Sequence, residues 1–282
     1  MPGDSTSALG DGVQEKLKAL GPDWTEKAER ELNESPEKIE ESLEILRTLL
    51  ADETSLTVRP DDAFLLRFLR AKKYDCKKAY TMLHRYYMMK LDSSELFRVP
   101  RPSEKMHILE MQAQTMLRGR DHNGSRVYIF RVEKCDTSLV TIEDVFSTNV
   151  MALEYMVREP ETQIAGLTVL IDMTGFSLQH HAKFLSPYYA RRTVDVIQET
   201  FPLRFKGFHV INQPFYFDAV FAFLKPFLKE KIRQRIYLHG KDMSSLHNFI
   251  NQEILPSEYG GSQGEFDNTW WREDLLKHEE EF

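Results

Sequence analysis

Apolar positions in the first hundred residues recur every three or four places, and each stripe is bounded by residues that start or stop a helix. Ser35-Pro36-Glu37 puts a hydroxyl at an N-cap and a proline in the first turn. Ile39, Leu43, Leu46, Leu49 and Leu50 then make one face. Asp61 and Asp62 precede AFLLRFLRAKK, in which Phe64, Leu65, Phe68 and Leu69 face inward and Arg67 and Arg70 are placed to point outward. CKKAYTMLHRYYMMK is periodic again. The pattern predicts an all-helical unit over 21–100. Before it lies a flexible leader, 1–20, with a short amphipathic stripe at Val13, Leu17 and Leu20.

After Pro100-Arg101-Pro102 the period changes. Short β-branched and aromatic runs at 126–132, 167–172, 208–212 and 235–239 predict strands, and 142–157 and 184–200 read as helices between them. Asp121-His122-Asn123-Gly124 is a turn before the first of these strands. Alternation of this kind implies βαβ crossovers, hence an α/β domain with a mainly parallel sheet, over 101–265. An acidic tail, 266–282, follows.

The stretch 214–239 carries the least ordinary pattern. Phe217, Val220, Phe221 and Leu224 form a helical stripe, and Pro226 opens a second helix whose Leu228, Ile232 and Ile236 form another. Lys231 and Arg235 border that second stripe on one edge and Lys229 and Arg233 on the other, while Glu230 and Gln234 point away. Spacing alone leaves two readings open: a core-facing helix with cationic margins, or a membrane-touching lid whose cations reach lipid headgroups.

At 282 residues and 41% hydrophobic composition the chain is long enough to bury a large core. Its longest apolar runs fall well short of the ~18 residues that a membrane span needs. The first residues lack both a basic-then-apolar secretory pattern and a glycine directly after Met1, which points to a cytoplasmic protein. Cys76 and Cys135 have no metal-ligand spacing and read as reduced structural thiols. A net charge of −7 argues against general nucleic-acid binding. The acidic residues concentrate toward the two ends, which leaves room for a local positive field between them.

Walker A, GxGxxG, HExxH and GxSxG patterns are all missing, so no catalytic residue, cofactor or metal is expected. Asp172, at the end of a predicted parallel strand, reads as a turn cap rather than a catalytic carboxylate. His180 and His181, as neighbours, do not share a helix face and do not complete a metal site. What remains is apolar: Phe130, Phe146, Val150, Leu153, Leu167, Val169, Ile171, Phe176, Val196, Ile197, Phe201, Leu203 and Phe208. Such residues pack a core or line a lipid-sized cavity oriented by a polar group such as Asn149 or Ser147, and periodicity does not separate the two.

Three stretches add a resemblance: DDAFLLRFLRAKKYD at 61–75, the whole of 199–240, and ILPSEYGG at 254–261. Together they resemble the CRAL-TRIO lipid-transfer family, in its branch of tocopherol-transfer, clavesin and retinaldehyde-binding proteins. That resemblance implies a helical N-terminal domain, then an α/β domain with a lipid cavity closed by a helical gate. The gate maps to Phe215, Phe217, Val220, Phe221 and Leu224, the ligand pocket to the apolar residues above with Asn149, and a phosphoinositide-binding cleft to Lys72, Arg204, Lys206, Lys231 and Arg235. It further implies an intracellular carrier of one hydrophobic ligand such as tocopherol or a retinoid. Such a carrier is not an enzyme and meets endosomal or plasma membranes peripherally. A phosphoinositide-reading adaptor in endosomal traffic is the alternative. The chain departs from the tocopherol pattern at Phe176, where that protein has tryptophan, and at Asn149 and Leu153, where it has serines. Lys72 replaces an arginine and Arg204 a lysine, so charge is kept while a planar fork becomes a point charge at position 72.

Overall fold

The computed structural model describes residues 20–53, 56–136, 138–180 and 186–282. The leader, apart from Leu20, lies outside the described residues, as do His181 and the side chain of Val220. Four helices come first: α1 (Pro22–Leu32), α2 (Pro36–Ala51), α3 (Asp62–Ala71) and α4 (Cys76–Asp92). Their starts are set by side chains that accept otherwise orphaned amides. Ser35 Oγ takes Lys38 N–H at 3.2 Å, Asp61 Oδ1 takes Phe64 N–H at 2.9 Å and Asp75 Oδ1 takes Lys78 N–H at 3.1 Å. Phe64, Phe68 and Tyr86 meet edge-on, and Tyr86 meets Phe201 of the second domain in the same way.

Arg67 and Arg70 do not point outward. Both are buried, because each finds a carboxylate inside: Arg67 lies 3.8 Å from Glu154, and Arg70 is clamped by Glu34.

Short helices α5 (Ser94–Phe97) and α6 (Met106–Leu109) lead into the sheet domain. It contains β1 (Gln114–Arg120), β2 (Arg126–Arg131), α7 (Ile142–Met156), α8 (Pro160–Ala165) and β3 (Leu167–Asp172). After these come α9 (Pro187–Asp195), β4 (Phe205–Ile211), α10 (Phe217–Leu224), α11 (Glu230–Arg233), β5 (Ile236–Gly240), α12 (Met243–His247) and α13 (Thr269–Lys277). The five strands lie in the order β1-β2-β3-β4-β5, with β1 antiparallel to β2 and all other pairs parallel.

β1 was not among the expected strands. Its sequence, QTMLRGR, mixes arginine and glycine into the run and lacks alternation, so only its turn was visible. That turn is built as its composition demands: Asp121 Oδ1 accepts from Asn123 N and Ser125 N, and Gly124 takes φ 79°. The second amphipathic helix expected after Pro226 is also different. Residues Lys225–Phe227 form a 3₁₀ turn, Leu228 is extended and α11 is a single turn.

Strand register divides the sheet into two faces. Tyr128, Val169, Phe208 and Ile236 stand side by side on one, with Phe130, Ile171 and Val210 in the next row. The opposite face carries Val127, Ile129, Leu170 and Ile211 and is sealed by Leu246, Ile250, Leu255, Tyr259 and Phe266 from the C-terminal segment.

Candidate functional site: an uncharged cavity beside a cationic cleft

The first face of the sheet does not close on a packed core. Between it, α7, α9 and α10 lies a cavity of about 360 Å³. Of the apolar positions singled out in the sequence, Phe130, Phe146, Val150, Leu153, Leu167, Val169, Ile171, Val196, Ile197 and Phe208 line it, together with Asn149. Three do not. Phe201 and Leu203 are buried in the core, Phe201 against Tyr86, and Phe176 stacks on His180 and Tyr216 near the carboxyl ends of the strands. Tyr128, Ala190, Thr193, Val194, Phe205 and Val210 line the cavity and were missed. Period-2 counting from Phe130 and Phe208 would have found Tyr128 and Val210, which sit two places away on the same strand face.

The stripe Leu228, Ile232 and Ile236 turns inward and forms part of this wall. Of the two readings that spacing leaves open, the inward-facing one describes this structure: Leu228 and Ile232 are buried. Phe217, Phe221 and Leu224 of α10 also face the cavity. Outward exposure belongs to other aromatics, Phe215 at 96% and the touching pair Phe223 and Phe227 at 37% each.

Among the described residues the wall holds no charged side chain; its polar groups are Tyr128, Asn149 and Thr193. Tyr128 hydroxyl lies 3.0 Å from Asn149 Oδ1 and also meets Gln114 Oε1, and burial pushes its phenol pKa well up. Ser147 bonds the carbonyl of Asp144 instead of facing the cavity.

The five expected cations come from three places. Lys72 caps α3, Arg204 and Lys206 flank Phe205 at the start of β4, and Lys231 and Arg235 lie in and after α11. Glu31 of α1 binds two of them, Lys206 Nζ at 3.1 Å and Arg204 Nη2 at 3.3 Å, as well as Lys27 at 2.5 Å. Burial alone would raise the Glu31 pKa, but hydrogen bonds from Lys27 and Lys206 take it down to about 2. Arg235 donates to the carbonyl of Phe205. Among the described residues no carboxylate comes within 4.0 Å of Lys72, Lys231 or Arg235. Partial burial, then the charges of Arg235, Lys73, Lys72 and Arg204, push the Lys231 pKa down. Burial and neighbouring Lys229 and Arg85 do the same to Lys72. Each of these two ammonium groups therefore feels more positive than negative charge around it.

Asp172 holds structure. It accepts from Thr174 N and Asn212 Nδ2 at 3.0 Å, from Thr174 Oγ1 at 2.7 Å and from Tyr259 hydroxyl at 3.3 Å, which fastens the ends of β3 and β4 to the C-terminal segment. His180 Nδ1 meets Ser177 Oγ at 2.8 Å and its Nε2 faces Cys135 O at 3.3 Å. The described residues contain no cluster of metal-ligating side chains, and no helix among them is long and apolar enough to cross a membrane.

The model of the CRAL/TRIO domain matches residues 110–261, and that of its N-terminal domain matches 14–85. The chain belongs to the CRAL/TRIO family. Rat clavesin-2 is 36% identical over 264 residues, 92% of this chain and 80% of that one. Human alpha-tocopherol transfer protein-like is 37% identical over 265 residues, 94% and 77% respectively. Among solved structures, Sfh5 aligns with a TM-score of 0.56 at 12% identity, covering 86% of this chain and 97% of its own, and this likeness concerns the fold. In this CRAL/TRIO chain the segment 225–236 contributes Leu228, Ile232 and Ile236 to the cavity wall and also carries Lys231 and Arg235.

Proposed function

We propose that this chain is a non-enzymatic carrier. It takes one uncharged hydrophobic molecule into the cavity and exchanges it at membranes that display phosphoinositides. The observation that carries the reading is a ligand-sized space, lined by no charged side chain among the described residues, whose wall segment Leu228 to Ile236 also carries Lys231 and Arg235. A carboxylate or phosphate inside that wall would lose its hydration with no partner, whereas an apolar body gains roughly 25 cal/mol per Å² removed from water. A single hydroxyl or carbonyl can be met by Asn149, Thr193 or Tyr128, which fits a tocopherol- or retinoid-like ligand. The similarity to alpha-tocopherol transfer protein-like supports this reading.

Helix α10 is the gate. Phe217, Phe221 and Leu224 complete the cavity wall, so swinging the helix out exposes apolar surface on both sides. A bilayer removes that cost by receiving the same side chains, with Phe215, Phe223 and Phe227 already outward. Headgroup binding to Lys231 and Arg235, on the segment that follows the gate, favours opening to the extent that the cleft binds anions better in the open state. The protein then works from the cytoplasm as a peripheral visitor to endosomal or plasma membranes.

Native mass spectrometry of the purified protein tests the cavity: one stoichiometric neutral hydrophobic compound is expected. The cleft is tested by Lys231→Glu with Arg235→Glu. Each lost cation is worth about 1 kcal/mol near anionic lipid, so phosphoinositide-dependent transfer falls at least about thirty-fold while ligand stays bound. Undiminished transfer would remove these residues from the mechanism. A protein that stays empty, refuses all such ligands and still binds phosphoinositide vesicles would be an adaptor, a role for which the similarity to clavesin-2 leaves room.

A further inference from the structure

The cavity wall contains a π turn just after α9. It spans Val196–Thr200 and is closed by Phe201 N–H to Val196 O at 3.1 Å, a wide turn that helices seldom contain. Val196 and Ile197 line the cavity. The next two side chains reach the segment that follows α10. Gln198 Nε2 donates to Phe227 O at 3.2 Å, and Gln198 Oε1 accepts from Lys229 N–H at 2.6 Å. Those are the carbonyl and the amide on either side of Leu228, the pair that a neighbouring parallel strand would bond, so one side-chain amide takes the place of a strand. Only this orientation of the amide serves both groups, because a flipped one sets oxygen against oxygen and N–H against N–H. Leu228 is extended (φ −88°, ψ 129°) between the 3₁₀ turn and α11, and its side chain is buried in the cavity wall. Glu199 pairs with the Lys229 ammonium and, at 2.8 Å, with Arg85 of α4.

We propose that Gln198 is the positioning residue of the gate hinge: its amide pins Leu228 in the extended form that keeps α10 closed on the cavity, and ligand leaves only when both bonds part. This rests on the gate reading given above and places its hinge at Leu228. Two neutral hydrogen bonds within reach of water favour the closed form by about tenfold, enough to retain a ligand and little enough for a bilayer to offset. Through Arg85 and Glu199 the helical unit bears on the same lysine, so the hinge is held from both domains.

The test compares the wild type with Gln198→Met, which keeps the side chain's length and deletes both bonds. Hydrogen exchange is expected to quicken about tenfold at the Lys229 amide and in the last turn of α10, with the strands unchanged. Retinol, a neutral fluorescent probe with one hydroxyl, should pass from the loaded variant to phosphatidylcholine vesicles about tenfold faster than from the wild type. The melting temperature should move by less than about 2 °C. A residue that served only the fold would instead lower the melting temperature and quicken exchange throughout the sheet domain, and that result overturns the proposal. Unchanged retinol release from the variant overturns it as well. A wild type that takes up neither retinol nor α-tocopherol overturns the carrier reading, while exchange at Lys229 and α10 still decides for or against the latch.

Discussion

Glu34→Ala is expected to destabilise the protein by about 3 to 5 kcal/mol, because it strands a buried guanidinium. Arg70 is 3% exposed and Glu34 7%. The two are joined by a pair of hydrogen bonds, Nη2 to Oε1 at 2.7 Å and Nε to Oε2 at 2.8 Å, and Gln163 takes the remaining edge at 2.8 Å. Each guanidinium nitrogen donates one of these bonds, so removing the carboxylate leaves a buried charge without its counter-ion. Urea denaturation measures the loss as a shift in midpoint at constant slope. Combining Glu34→Leu with Arg70→Met should recover part of it, since apolar residues of similar volume remove the uncompensated charge. A loss under about 1 kcal/mol for the single variant would mean that the pair is solvated. The clamp joins α3, the residues after α1, and α8, so its loss also frees the turn that carries Lys72 and Lys73.

What the sequence made legible follows from what periodicity can report. Helices with an acceptor before them, at Ser35 and Asp61, appear where their caps place them. Strand faces could be counted once one member was known. Burial of a polar group could not, because it depends on a partner far along the chain. Arg70 looks solvent-facing until Glu34 and Gln163, 36 and 93 residues away, fold against it. The stripe at Leu228, Ile232 and Ile236 was visible, but its direction was not, because Leu228 is extended and α11 is one turn long. A wheel drawn through that break assigns the right residues to one face for the wrong geometric reason. Cavity and core are written in the same residues. Only the failure of α7, α9 and α10 to close on Val169, Ile171 and Phe208 separates them.

Acidification from pH 6.5 toward 4 should weaken the fold by about 3 kcal/mol through one buried histidine, with about 2 kcal/mol already lost at pH 5. His209 of β4 and His239 of β5 sit on the sheet face opposite the cavity, 2% and 7% exposed. His209 Nδ1 meets His239 Nε2 at 3.0 Å, and His239 Nδ1 meets Ser245 Oγ at 2.7 Å. Tyr237 and Phe249 pack on the His209 ring at 4.9 and 4.8 Å between centroids. Beneath it Gly207 leaves room where a Cβ would come within 2.6 Å of Nε2. One ring must donate and the other accept, so the contact exists only while that pair of nitrogens carries a single proton. Burial, with His239 alongside, takes the His209 pKa from 6.5 to about 4; burial also lowers that of His239, and nearby Asp242 opposes the shift. A depressed histidine contributes its full stability above the unfolded pKa and loses it as pH falls through the folded one, which places the loss between about 6.5 and 4. Glu31, held at about 2, and Glu154 and Glu159, held below the usual carboxylate range, act at lower pH, so the interval from 6.5 to 5 isolates the histidines. Across the same strands Phe208, Val210 and Ile236 line the cavity, so charging the pair parts β4 from β5 behind the wall that holds the ligand. His209→Asn keeps a donor and an acceptor but cannot take the charge. Its urea midpoint should fall from pH 6.5 to 5 only by what His239 contributes, less than in the wild type, and its ligand should leave more slowly at pH 5 than that of the wild type. If the variant and wild-type curves ran parallel over that interval, the histidine pair would have no part in acid sensitivity.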